Sequence, residues 1–223
     1  MKILSWNLER PNNNLTSEKN IFIIDIIEKI NPDIIFFTET NSSINFKTYF
    51  SHQSIQLPKI HEKQEYKNGE NRVTIFSKFP IENISNTYDC YTAICCLIDS
   101  PIGKLTLYGS IIGSFGGRDK YFENDLKNQK VEIEKLARNQ NLIYSGDFNI
   151  SFSGFPYPSK VKITEMNEFF DSNSLTNLTG DNKDSAIHIV LSEEILKNRI
   201  VSQKMIEIDR KISDHNLILV EIQ

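Results

Sequence analysis

Short apolar runs separated by polar, turn-forming stretches dominate the chain. Residues 2–8 are apolar and run into Pro11 and a row of asparagines, so a strand opening into a loop is predicted there. Residues 21–30 place Ile23, Ile24, Ile27 and Ile30 at helical spacing, and Pro32 closes the helix. Residues 33–39 then read as a buried strand with Glu39 at its C-terminal end. Residues 41–71 are polar and irregular and are expected to form surface loops. Strands are predicted over 73–77, 92–98 and 104–112, with Pro101 to Gly103 as a hairpin turn. Residues 113–118 form a glycine-rich loop. The longest helical pattern, 121–139, offers Phe122, Leu126, Val131, Ile133 and Leu136 as its buried side, with charges covering the rest. A strand over 142–145 leads into Gly146, Asp147, Phe148 and Asn149, and a loop over 151–160 carries Phe152, Phe155 and Tyr157. A helix at 163–170 and strands at 187–191 and 217–222 complete the pattern.

Helical patterns are separated by several strands, often paired as hairpins, and this is not strict β-α-β alternation. The order predicts an α+β fold of two packed sheets with helices outside them. No repeat, linker or low-complexity stretch divides residues 1–223, so one domain is expected.

Composition adds limits rather than an identity. A formal net charge of −4 argues against a strongly basic nucleic-acid surface, although a bound cation would restore local attraction for phosphate. Cys90, Cys95 and Cys96 are odd in number and form no Cys-x-x-Cys, so they are read as small, reduced core residues. No apolar run could span a membrane, and residues 1–7 lack the pattern of a secretory leader. A cytoplasmic monomer is expected.

Candidate chemistry sits at the ends of the apolar strands: Asn7, Glu39, Asp147 with Asn149, and Asp214 with His215. Separate strand ends meeting at one rim can hold such groups rigidly against a ligand. Glu39 and Asp214 are oxygen donors suited to a hard cation such as Mg2+ or Mn2+. The histidines make no zinc-like cluster. A cation beside carboxylates, an amide and an imidazole suits phosphoester hydrolysis: Asp147 would orient or deprotonate water and His215 would hydrogen-bond the phosphate. His188 lies inside an apolar strand and is read as packed, His52 and His61 as surface residues, and Trp6 as core.

The segments Ile3-Leu-Ser-Trp-Asn7, Pro32-Asp-Ile-Ile-Phe-Phe-Thr-Glu39, Val73-Thr-Ile-Phe-Ser-Lys-Phe-Pro-Ile81, Tyr144-Ser-Gly-Asp-Phe-Asn149, Ile187-His-Ile-Val-Leu-Ser192 and Ser213-Asp-His215 occur in one order across nearly the whole chain. In that order they resemble the endonuclease/exonuclease/phosphatase superfamily, of the DNase I-like and exonuclease III-like kind. The resemblance implies a four-layer αββα sandwich of two mostly antiparallel sheets, with the site at one rim. It implies Glu39 as principal metal ligand with Asp214 and Glu9, Asp147 acting on water or the leaving group, and Asn149 positioning the phosphate. Asn7 and His215 would complete the site.

Two positions depart from the family pattern. Ile187 stands where an acidic residue usually orients the catalytic histidine, leaving Asp184, Asp209 or a backbone carbonyl to do so. Ile111 stands near the place of a phosphate-contacting Tyr or His; Tyr108 is close, but its strand parity is opposite unless a bulge at Gly109 intervenes. Arg118, Tyr108 and Phe155 are the candidate substrate contacts, and the aromatic loops could equally cover the sheet ends. DNA is the expected substrate, with a small phosphoester or phospholipid headgroup as the alternative. A catalytically degraded binding module is a third reading.

Overall fold

The computed structural model describes residues 1–138 and 141–223. Among the described residues, two six-stranded sheets pack face to face. The first contains β1 (Lys2–Asn7), β2 (Ile34–Asn41), β3 (Phe50–Gln53), β6 (Glu70–Ser77), β13 (Val201–Ile206) and β14 (Leu217–Ile222), in the order β13-β14-β1-β2-β6-β3. The second contains β7 (Ile81–Ser85), β8 (Ala93–Ser100), β9 (Gly103–Ile111), β10 (Leu142–Asp147), β11 (Leu175–Asn177) and β12 (Ile187–Ser192), in the order β11-β12-β10-β9-β8-β7. A small hairpin, β4 (Ile60–His61) and β5 (Gln64–Glu65), stands apart.

Each sheet has one parallel pair, β1 with β2 and β9 with β10; the other pairs are antiparallel. Parallel neighbours need a crossover, usually a helix. Helix α1 (Glu18–Ile30) joins β1 to β2, and α2 (Phe122–Ala137) joins β9 to β10. With α3 (Lys160–Ser172) and the short α4 (Glu193–Leu196), the helices complete the layered α+β sandwich. Ser17 caps α1 by accepting the Asn20 N–H, and Asn31 ends it in a left-handed turn.

Three apolar layers follow from strand alternation. Ile3, Phe36, Val73, Leu107, Ile189 and Val220 meet between the sheets. Leu4, Trp6, Ile35 and Phe37 face α1 through Ile23 and Ile27. Tyr108, Tyr144 and Val190 face Phe122, Leu126 and Ile133 of α2 and Met166 and Phe170 of α3. Cys96 lies between the sheets and Cys95 on the helix side, both as free thiols. Cys90 is exposed, which corrects its reading as a core residue; it lies in the turn before β8, outside the apolar strand.

The structure departs from the pattern where strands lie at edges. β3 and the β4–β5 hairpin fall in the supposed loop region, while β7 and β13 were not foreseen. Their side chains are largely exposed, so burial never imposed alternation on their sequences. On α2, Val131 is exposed; Asp125 and Gln129 occupy the buried stripe instead. Asn139, expected at the end of this helix, lies outside the described residues. No helix among the described residues is long and apolar enough to cross a membrane.

His188 is packed, as expected. It is fully buried between Phe148 and Phe152. Its Nε2 donates to the carbonyls of Ile150 (2.9 Å) and Ser185 (3.1 Å), and Nδ1 faces the Thr179 hydroxyl at 3.2 Å. Burial lowers its pKa from 6.5 to about 4, outweighing the backbone carbonyls that raise it. The unfolded chain therefore takes up this proton first. His188 contributes its full stability above pH 6.5 and loses it as pH falls toward 4, about 3 kcal/mol in all. Urea unfolding at stepped pH is expected to show this extra slope in the wild type and not in His188→Gln; equal slopes would contradict it.

Candidate active site

β1, β2 and β10 end at the same rim, and each carries a polar group there. Asn7 is fully buried at the end of β1. Its Nδ2 donates to Glu39 Oε1 of β2 at 3.0 Å and to Asp147 Oδ2 of β10 at 2.8 Å. Its Oδ1 accepts the Glu9 N–H at 2.8 Å, which fixes which end of the amide faces the carboxylates. One amide thus ties two carboxylates from two sheets.

The local backbone serves this geometry. Glu39 is skipped in the β2–β6 pairing between Thr38 and Thr40, without a shift of register, and has φ +46°. A glutamate in the left-handed region is strained by roughly 1–3 kcal/mol and persists only where its surroundings hold it. Here the Glu39 carbonyl accepts the Arg10 N–H at 2.9 Å. Gly146, before Asp147, has φ +145°, and an added Cβ would lie 1.9 Å from the Ser110 carbonyl oxygen. Only glycine lets β9 approach there.

Asp147 is almost fully buried. In register it stands between Ile111 and Ile187. Against those side chains its polar support is the Asn7 amide and the Asn149 N–H, which donates to Oδ1 at 3.0 Å. Burial raises the Glu39 pKa against the Asn7 hydrogen bond, and the nearby Asp147 charge adds to the rise. His215 brings Nε2 to 3.3 Å from Asp214 Oδ1 and 3.8 Å from Asp147 Oδ2.

The segment 213–215 is fastened to β1. The Ser213 hydroxyl donates to the Asn7 carbonyl at 2.8 Å, and the indole N–H of Trp6 donates to the His215 carbonyl at 3.1 Å. Sequence reasoning missed both anchors. In sequence, Trp6 reads only as core and Ser213 only as part of a motif. The pairing of an aromatic donor with a distant carbonyl carries no sequence signal.

The structure gathers Asn7, Glu39, Asp147, Asn149, Asp214 and His215 at one rim. Glu9 lies further out, where its Oε2 accepts the Asp214 N–H at 3.2 Å and stands 3.7 Å from Lys19 Nζ. Asn149 does not offer its amide outward. Its Nδ2 donates to the carbonyls of Ile112 (3.0 Å) and Gly113 (3.2 Å). Tyr108 is misplaced as a substrate contact. β9 has no bulge at Gly109, so parity holds and the ring is buried under α2, donating to Glu132 at 2.6 Å. Arg118 donates to the Pro158 carbonyl and lies 5.1 Å from the Tyr157 ring centre, on a loop whose Gly117 packs on the Asn149 backbone. Phe155 is 71% exposed, with its N–H held by Asp184 at 2.7 Å. Among the described residues, neither Asp184 nor Asp209 bonds His215; Asp209 caps Lys211. Ile187 belongs to the layer between the sheets.

Among the described residues no three His, Cys, Asp or Glu side chains form a ready-made metal cage. The donor set nevertheless fits a hard divalent cation. Mg2+ keeps several waters and takes one or two carboxylates plus substrate phosphate, rather than an all-protein cage. Glu39, held above its ordinary pKa beside Asp147 and Asp214, is the carboxylate such a cation would relieve.

Comparisons with known proteins bear on the family and the fold. The model of the endonuclease/exonuclease/phosphatase family matches residues 4–188. Asp214 and His215 lie beyond that span and are brought to the site by the fold. A 3'-5' exonuclease (NExo) from Neisseria meningitidis superposes with a TM-score of 0.73 at 15% identity, covering 100% of both chains. A 3' phosphatase NExo from Neisseria bound to product DNA hairpin gives 0.71 at 14% identity, covering 100% of this chain and 99% of that one. An AP endonuclease from Archaeoglobus fulgidus gives 0.71 at 15% identity, with the same coverage of 100% and 99%. These likenesses establish the fold. No curated protein matches the chain in sequence.

Cation binding is testable without turnover. Millimolar Mg2+ is expected to raise the melting temperature by about 2–4 °C, the effect of ~1 kcal/mol in a chain of this size. Glu39→Gln should melt no lower than the wild type without cation and should lose the response. An equal response in both would remove Glu39 as the ligand.

Proposed function

The chain belongs to the endonuclease/exonuclease/phosphatase family, and from that membership we propose that it is a divalent-cation-dependent phosphodiesterase acting on DNA. The observation that carries the reading is the Asn7 amide holding Glu39 and Asp147 together at the shared rim, with His215 within 4 Å of Asp147.

Glu39, with Asp214 and a water-filled remainder, would hold Mg2+ or Mn2+. When bound, such a cation polarises a phosphoryl oxygen and offsets developing negative charge. Asp147 is fixed by donors at both oxygens and takes the proton of the attacking water. His215 donates to a non-bridging phosphate oxygen. The new bond is between water oxygen and phosphorus. The bond to the leaving oxygen breaks, and that oxygen departs with a proton from solvent or His215. Asn149 acts as a brace for Asp147, since its amide hydrogens are taken by protein carbonyls.

DNA is favoured by the loops around the rim. Phe115 and Phe155 are exposed and Arg118 lies between them in the chain, a combination suited to stacking and phosphate contact. The fold is shared with a NExo structure that holds a DNA hairpin. A formal net charge of −4 favours the second reading, a phosphatase or phosphodiesterase for a smaller phosphoester. The three free thiols are in keeping with a cytoplasmic setting.

Supercoiled plasmid is expected to be nicked with Mg2+ or Mn2+ and left intact with chelator. Glu39→Ala and Asp147→Ala should each lower the rate by at least about 100-fold, as expected for groups acting in the transition state. Cleavage confined to small phosphodiesters would establish the second reading. Inertness toward both would leave a binding module.

A further inference from the structure

Two polar residues on the buried stripe of α2 take no part in the chemistry above. Phe122, Asp125, Leu126, Gln129 and Ile133 form that stripe. Burying a carboxylate and an amide beside phenylalanine and leucine is unfavourable unless both are fully hydrogen-bonded. Gln129 is. Its Oε1 accepts from the hydroxyls of Ser110 and Tyr144, each at 2.8 Å. Its Nε2 donates to the Ile111 carbonyl and to the Tyr88 hydroxyl, each at 3.1 Å. Asp125 Oδ2 accepts the Gly113 N–H at 3.0 Å. Burial still pushes the Asp125 carboxyl up to about 6, against the Gly113 N–H that draws it down. An apolar residue would have filled this position without that charge.

What these side chains grip is the end of β9 and the two residues after it, residues 110–113. The same stretch holds the active site from its other side. The carbonyls of Ile112 and Gly113 take both amide hydrogens of Asn149, and the Asn149 N–H donates to Asp147. Gly113 has φ +78°, and a Cβ there would lie 2.6 Å from the Gly116 carbonyl oxygen, so the turn admits little else. A continuous series of hydrogen bonds therefore runs from α2 through the β9 end and Asn149 to Asp147.

We propose that Asp125 and Gln129 are positioning residues for hydrolysis, fixing the Ile112 and Gly113 carbonyls so that Asn149 holds Asp147 in its working orientation. The proposal rests on the hydrolase reading for its kinetic consequence, but not for its structural one. A merely structural role would lower stability and leave the geometry at Asn149 unchanged.

The experiment uses the full chain with Asp125→Ala, Asp125→Asn, Gln129→Leu and Asn149→Ala, and the double variant of the last two. Its readouts are melting temperature, hydrogen exchange of the Asn149 side-chain amide by NMR, and kcat and KM on a DNA duplex with Mg2+. Asp125→Ala and Gln129→Leu should exchange the Asn149 amide at least about tenfold faster, with kcat down about 10- to 100-fold and KM within about threefold. Asp125→Asn keeps an oxygen for the Gly113 N–H and should retain kcat within about threefold. The double variant should be no slower than Asn149→Ala, because residues acting through one another are not additive. Folded Ala or Leu variants with unchanged exchange would overturn the proposal, as would losses that multiply in the double variant. If Asp125→Ala does not fold, Gln129→Leu decides on the same terms. A wild type inert toward every phosphoester would count against the hydrolase reading alone, and the exchange rates would still decide the relay.

Discussion

A single buried amide sets the geometry of this molecule's rim. Asn7 belongs to the first sheet and Asp147 to the second, and the Asn7 side chain spans from one to the other while also holding Glu39. Two carboxylates this close repel, and an interior without donors would force one to protonate. A neutral amide supplies a hydrogen to each without adding a charge that would compete with a cation. It also works only at short range, so the sheets must close to within one side chain at this end. Gly109, whose added Cβ would meet Val73 Cγ1 at 3.0 Å, is part of the same requirement.

The rest of the site is arranged around that bridge by backbone. Glu39 and Asn149 adopt φ +46° and +50°, turning their side chains off the regular strand directions. The parallel pairs β1–β2 and β9–β10 bring four strand C-termini to the same side, and the helical crossovers α1 and α2 make those pairs possible. Segment 213–215, far away in sequence, is tied in by Ser213 and Trp6. The hydrophobic layers give the sandwich its stability. The polar groups at its edge gain their precision from hydrogen bonds to main-chain atoms that those layers hold still.

How much of this could be read from sequence follows from burial. Strands buried on both faces announce themselves as short apolar runs, such as residues 34–37 and 142–144, and the polar groups that follow them stand out by contrast. Edge strands β3, β7 and β13 do not, because nothing selects their outward positions. Tyr108, a candidate substrate contact in spite of its opposite strand parity, lies instead under α2. Glu39 was placed at a strand end; it sits within β2 at an irregular residue, which apolar patterning cannot report. Asp125 and Gln129 are absent from the buried side expected of 121–139, because polar side chains are on average exposed. Their partners are the Ile111 carbonyl, the Gly113 N–H and the hydroxyls of Ser110, Tyr144 and Tyr88, and no one-dimensional pattern records such a pairing. For Ile187 the sequence showed a missing carboxylate; the structure shows that His215 instead faces Asp214 and Asp147.

The most direct measurement is the single-turnover cleavage rate of a DNA duplex at saturating Mn2+, comparing wild type with Asn7→Ala. Asn7→Ala removes the donor that Glu39 and Asp147 share and leaves both carboxylates in the chain. Wild type is expected to cleave and Asn7→Ala to be slower by at least about 100-fold, with an unfolding transition still cooperative. A folded Asn7→Ala that cleaves as fast as wild type would contradict the central role given to this bridge.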